Sequence, residues 1–166
     1  MSWQRVMERF QEDPDAVYLG VIPVSAVAKS EYETLVIDAI ECYTDRVIVT
    51  THLRLGPDHP EHEWRERGRP GHPKLLMRCL DDIGTEYIAI QQGGGGGGSI
   101  YRFEQAIAPS FPEQATTLTL EIADIVWNAG PPFPLDNLDS ITWSWRVDID
   151  LDTQVPPRQM TNLGNA

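Results

Sequence analysis

The chain has 166 residues, 41% hydrophobic and 23% charged, enough for one globular domain whose core needs no metal or disulfide staple. Thirteen basic against 25 acidic residues give a formal net charge of −12, a field that repels phosphate backbones and anionic lipid surfaces. Nucleic acid and membrane are therefore not expected partners, and with neither a bilayer-length apolar run nor an apolar secretory region at the start, the expected compartment is the cytoplasm.

In chain order, the first expected element is a short amphipathic helix over residues 2–13, within an N-terminal segment 1–15. Trp3, Val6, Met7 and Phe10 recur at the helical spacing and share one face. Ser2 caps the start and Pro14 stops the run. A helix this short is marginal alone, so its stripe must dock on the domain or on a partner.

From residue 17 the period becomes two. Strands are expected near 17–23, 32–43, 46–55, 74–81, 85–92, 99–107, 116–127 and 140–151. The last is the clearest: Ile141, Trp143, Trp145, Val147, Ile149 and Leu151 alternate with Ser140, Thr142, Ser144, Arg146, Asp148 and Asp150. One buried and one wet face fit an antiparallel sheet, because parallel sheets are covered on both faces. Trp143 and Trp145 then belong to the core rather than to an exposed stacking platform. In "TTLTLEIADIVW" the phase slips at Ile125 and Trp127, the mark of a bulge or bend. About eight short strands with turn residues between them predict an all-β antiparallel β-sandwich over residues 16–151. A polar tail follows over 152–166.

Cys42 and Cys79 lie in strand-like runs, where free cysteine behaves as a small buried hydrophobe, and whether they pair is left open. Six consecutive glycines, Gly93 to Gly98, raise the question of a phosphate loop. No lysine and no helix follow them, as such a loop requires. The expectation is a mobile hairpin connector.

The segment 56–74, "GPDHPEHEWRERGRPGHPK", holds His59, His62 and His72 with Asp58, Glu61 and Glu63. Imidazole and carboxylate suit zinc-like ions, so these histidines are the metal candidates, and a metal-dependent hydrolase is the alternative function. The spacing is not that of a helical His-Glu-x-x-His site. Its prolines and glycines argue for an exposed crossover without a steady helix. Arg65, Arg67 and Arg69, diluted by Glu66, read as part of the same solvated loop. No nucleophile elbow is present. His52 faces away from Val47, Val49 and Leu53, as a sheet-surface histidine would. Of the carboxylate pairs, Asp81/Asp82 serves a turn and Asp148/Asp150 shares a wet strand face. No catalytic residue, metal or cofactor is assigned.

Residues 32–151 resemble immunoglobulin-like β-sandwich domains of uncharacterised bacterial proteins, some forming the outer segment of membrane anti-sigma factors. The stretches are "LLMRCLDDIGTEY", "YRFEQAIAPSFPEQATTLTLEIADI" and "ITWSWRVDID", with Asp81, Asp82, Gly84, Tyr87, Phe103, Pro112, Leu118, Leu120 and Trp143 at the matching places. The resemblance implies the sandwich and no catalytic residues. The membrane helix and sigma-binding portion of anti-sigma factors have no counterpart here, so a regulatory role is not implied. The expected function is a non-enzymatic protein-interaction module using the sandwich-end loops 56–73, 93–98 and 128–139. Trp64 and Phe133 are the expected anchors, with Trp3 and Phe10 of the first helix as a further contact.

Overall fold

The computed structural model describes residues 13–67, 73–125, 127, 141–151 and 161–162. The N-terminal helix with Trp3 and Phe10, His72, Phe133 and most of the tail lie outside these residues, and at Trp64 and at 161–162 only the backbone is described.

The strands are β1 (Tyr18–Lys29), β2 (Glu33–Tyr43), β3 (Val47–Leu55), β4 (Met77–Asp81), β5 (Ile88–Gly97), β6 (Ile100–Ala108), β7 (Thr117–Ala123), β8 (Trp143–Asp150) and the two-residue β9 (Thr161–Asn162). They form two antiparallel sheets, a five-stranded one in the order β1-β2-β3-β6-β5 and a smaller one in the order β4-β7-β8-β9. The alternation read from the sequence is what closes them together. Val47, Val49, Thr51, Leu53 and Leu55 all turn inward from β3, against Leu118, Leu120, Ile122, Val147 and Ile149 of the opposite sheet. Each such aliphatic side chain contributes roughly 1.5–3 kcal/mol on burial.

Two irregularities carry consequences. In β2, Ile37 pairs with Thr51 but Ala39 pairs with Thr50, so Asp38 is an extra residue, a bulge. It stands on the outer face of the sheet, where its carboxylate meets His52. In β8 the pairing shifts between Trp145 and Trp143. Trp145 packs on the core, whereas the Trp143 ring lies under the Arg78 guanidinium, 4.6 Å from its centroid, beside the Arg78–Glu121 ion pair. The expected core placement therefore holds for Trp145 and fails for Trp143, because one residue of slippage exchanges the faces of a strand.

The glycine run departs from expectation in a second way. Gly93 to Gly97 are strand residues of β5, paired with β6, and only Gly98 and Ser99 form the turn. Gly98, at φ +64, supplies the left-handed backbone that two-residue hairpins need. Gly96, at φ +158, lies so close to β6 that a Cβ there would come within 2.7 Å of the Tyr101 Cα. The run is thus a ribbon of sheet and not a slack loop. Sequence reasoning missed this because glycine's low strand preference says nothing about pairing with a strong neighbour.

The segment after β3 also contains a helix that its prolines and glycines argued against, α1 (Glu61–Glu66). Pro60 stands just before it and Glu61 and Glu63 occupy the first turn, where carboxylates suit the helix dipole. Both cysteines are free, Cys79 buried and Cys42 half-buried, and burial pushes both thiols up from the ordinary value. No helix among the described residues is long and apolar enough to cross a membrane.

Candidate functional site

One end of the sandwich is closed by polar and aromatic side chains that converge on His59. The residue follows the turn out of β3, and Glu33 opens β2 directly opposite Leu55. His59 is 5% exposed. Its Nδ1 accepts the Glu61 backbone N–H at 3.0 Å, so the ring must carry its hydrogen on Nε2, which donates to Glu33 Oε1 at 2.9 Å. The same Glu33 oxygen accepts the Trp127 indole N–H at 2.8 Å. Trp127 packs on both His59 and Tyr101, with ring centroids 4.9 and 5.4 Å away.

Helix α1 is tied into this end. Glu61 is fully buried and takes an ion pair from Arg65 Nε at 3.3 Å. Arg65 also donates to the Gly98 carbonyl at 2.8 Å and stacks over Tyr101, fastening α1 to the β5–β6 turn. His62 Nε2 donates to the Gly56 carbonyl at 3.0 Å. The two described metal candidates, His59 and His62, thus lie together with ring centroids 6.4 Å apart. Both nitrogens of His59 and one of His62 are already held by hydrogen bonds within the protein. No group of three or more metal-ligating side chains gathers among the described residues. The chemistry of this end is that of a frame: both His59 nitrogens, the Trp127 indole and the Arg65 guanidinium are bonded within the protein, while the buried Tyr101 hydroxyl has no partner among the described residues.

The carboxylate pairs are frame as well. Asp81 accepts the backbone N–H of Ile83 and Thr85 and the Tyr87 hydroxyl, the last at 2.8 Å. Burial works to raise its pKa, but the hydrogen bonds from Thr85, Tyr87 and Ile83 outweigh it and hold the carboxyl below the ordinary range. Asp82 accepts from the Thr116 hydroxyl and from the backbone of Thr116 and Thr117, and these bonds lower its pKa. Together they lace the β4–β5 turn to the bend before β7. Asp148 is held by the Thr119 hydroxyl and Arg146, which overcome its burial and lower it too.

Two surfaces are not closed in this way. One is the start of β1, where Val17, Tyr18, Leu19 and Val21 are 58%, 54%, 62% and 51% exposed. The other is the outer face of the five-stranded sheet around His52. His52 Nδ1 lies 2.9 Å from Asp38 Oδ2, and a carboxylate there accepts the Nδ1 hydrogen. Sequence reasoning placed His52 on this face but missed Asp38, whose aim depends on the bulge. The signal for β1 was present in "AVYLGVIPVSAVA", residues 16–28, which holds no charged side chain.

No family model matches the chain, and no curated protein matches it. Among solved structures the chain is similar to "the conserved domain protein from Bacillus anthracis", with a TM-score of 0.52 and 14% identity over 84% of this chain. The match spans 49% of that protein, about half its length. At this identity the likeness is one of fold.

Proposed function

We propose that the chain is a non-enzymatic protein-binding module whose docking strand is β1. The observation that carries this is the run of exposed apolar side chains, Val17, Tyr18, Leu19 and Val21, on a strand at the edge of its sheet. Among the described residues β1 has a strand neighbour on one side only, which leaves main-chain donors and acceptors beside an uncharged strip. Such an edge invites an added strand unless charge or proline guards it. Pro23 guards only the middle of β1. The occupant that fits is an extended, apolar segment of a partner protein, added as a sixth strand to the sheet. A net charge of −12 repels further copies of this chain and favours a partner of neutral or basic surface.

This reading relocates the binding surface from the loops expected to carry it. Residues 93–97 are strand, 56–67 fold onto the sandwich end, and 128–139 lie outside the described residues. The immunoglobulin-like kinship belongs to the same proposal. Two antiparallel sheets around an aliphatic core support it; the uninterrupted β1–β2–β3 meander differs from the strand order of immunoglobulin sheets. Cytoplasmic residence is likewise part of the reading, supported by the two free cysteines.

The test is a Leu19→Lys/Val21→Lys variant compared with the unaltered chain in affinity capture from native lysate. Both positions are exposed, so thermal stability should stay within about 0.5 kcal/mol of the parent. Partners captured by the parent should be lost. An identical set of partners from both proteins removes β1 as the docking strand.

A further inference from the structure

Five of the described arginines are paired with carboxylates: Arg46 with Asp45, Arg65 with Glu61, Arg67 with Glu63, Arg78 with Glu121 and Arg146 with Asp148. In a chain with 25 acidic and 13 basic residues, pairing is the statistical default. Arg54 and Arg102 depart from it, for neither guanidinium has an ion-pair or hydrogen-bond partner among the described residues. They are also neighbours. Arg102 of β6 stands opposite His52 of β3, and Arg54 stands opposite Ile100, all on the outer face. With Asp38 and Thr50 these side chains line an open groove of about 330 Å³. Two guanidinium groups face one carboxylate there, and that carboxylate is already engaged by His52. Glu104, the next residue of β6 on this face, is outside the groove lining and forms no ion pair with Arg102 among the described residues. His52 Nε2 is shut off from solvent and has no hydrogen-bond partner among the described residues, so the groove is open to a ligand at the two guanidinium groups and not at the ring.

The strand beyond Arg102 is bare. Gly95 is its register partner and Gly97 that of Ile100. A Cβ built at either position meets nothing within 4 Å, and neither residue has a positive φ. Packing and backbone therefore require glycine at Gly96 but not at Gly95 or Gly97. What their lack of side chains does provide is a flat strip of peptide beside the guanidinium groups, where a ligand can lie against the main chain.

We propose that this groove binds a small ligand through an oxyanion group, phosphate or carboxylate, gripped by Arg54 and Arg102, with the rest of the ligand lying over Gly95–Gly97. The planar guanidinium fork matches both oxyanions. The negative field of the whole protein is screened beyond about 8 Å at physiological salt, which leaves the local arginine pair in control at contact. The site is separate from β1 and stands or falls independently of it.

The test is titration of the full chain with inorganic phosphate and, separately, with succinate, followed by backbone amide NMR. Saturable shifts confined to residues 52–54, 95–97 and 100–102 are expected. The anion that binds more tightly identifies the group as phosphoryl or carboxyl. Arg54→Ala and Arg102→Ala should each weaken binding about tenfold, the worth of one charge-assisted contact. Arg67→Ala, an exposed arginine elsewhere, should not. Gly95→Val should keep the fold and weaken binding by filling the strip. The proposal is overturned if neither anion gives saturable shifts, or if they persist in the Arg54→Ala/Arg102→Ala double variant. Should that double variant fail to fold, unchanged affinity in Gly95→Val overturns it equally.

Discussion

His52 and His59 stand seven positions apart in the chain, each beside a carboxylate, and yet they belong to opposite kinds of surface. At His59 both ring nitrogens are bonded, the partner Glu33 is shared with Trp127, and the side chain is buried at the end of the sandwich. At His52 one nitrogen is bonded, the other has no partner among the described residues, and two arginines without an ion pair among those residues stand alongside. Residue type does not distinguish the two histidines; their partners do, for the His59 ring is bonded at both nitrogens and the His52 ring at one. A buried polar group left without a partner costs about 1–3 kcal/mol, so the doubly bonded His59 ring contributes to stability.

The sharpest way to break this contrast is to remove the shared acceptor. Glu33→Ala strands the His59 and Trp127 donors and should lower unfolding stability by about 2–4 kcal/mol in urea titration. A loss below about 1 kcal/mol would mean that the polar end is decoration. Next comes the glycine ribbon, which joins the two regions. Gly96→Ala should cost about 1–3 kcal/mol, since its backbone and its approach to Tyr101 exclude a side chain. Gly95→Ala should instead gain up to about 1 kcal/mol by restricting the unfolded chain. Equal effects at the two positions would refute the distinction between required and free glycines.

Acid should act on the frame. The carboxyls of Asp81, Asp82 and Asp148 are held below their ordinary values in the folded protein. Their stabilisation is therefore complete above the unfolded carboxylate pKa, near about 4. It is lost as pH falls through the lower folded values. Thermal unfolding followed from pH 7 downward should show falling midpoints below that point, with a shallower fall in Asp82→Asn. The smallest effects belong to the outer face. Asp38→Ala should cost no more than about 1 kcal/mol, as a half-exposed pair, and Arg102→Ala should stay within about 0.5 kcal/mol. A larger loss from Arg102→Ala would reassign that arginine to the frame.

Most of the fold was legible because side chains at every second position carry the information. The inward set of β3 and the alternation through Val147 and Ile149 could be read without pairing. Irregularity could not. The shift that turns Trp143 outward and the bulge at Asp38 depend on which strand lies alongside, a long-range fact that local pattern does not contain. The glycines misled for the same reason, and α1 formed where Arg65 could reach Gly98 and Tyr101 across the chain. Of the site residues, His59 was recognised by type but not by its contacts, because Glu33 lies 26 positions from it and Trp127 lies 94 from Glu33. Arg54 and Arg102 gave no signal, since lacking an ion-pair partner among the described residues is visible only once the other described arginines have found theirs.

The extra residue at Asp38 has one more effect, and it concerns counting. Inward positions of β2 are odd before it, at Leu35 and Ile37, and even after it, at Ile40 and Cys42. The strand therefore switches parity midway, whereas β1 keeps even positions inward throughout, at Ile22, Val24, Ala26 and Ala28, and meets the change with a register shift between Pro23 and Ala26. Without that single codon the inward side chains on either side would alternate unbroken and the ladder with β3 would run straight, so its loss would remove the bulge and the carboxylate beside His52 rather than turn half the strand over.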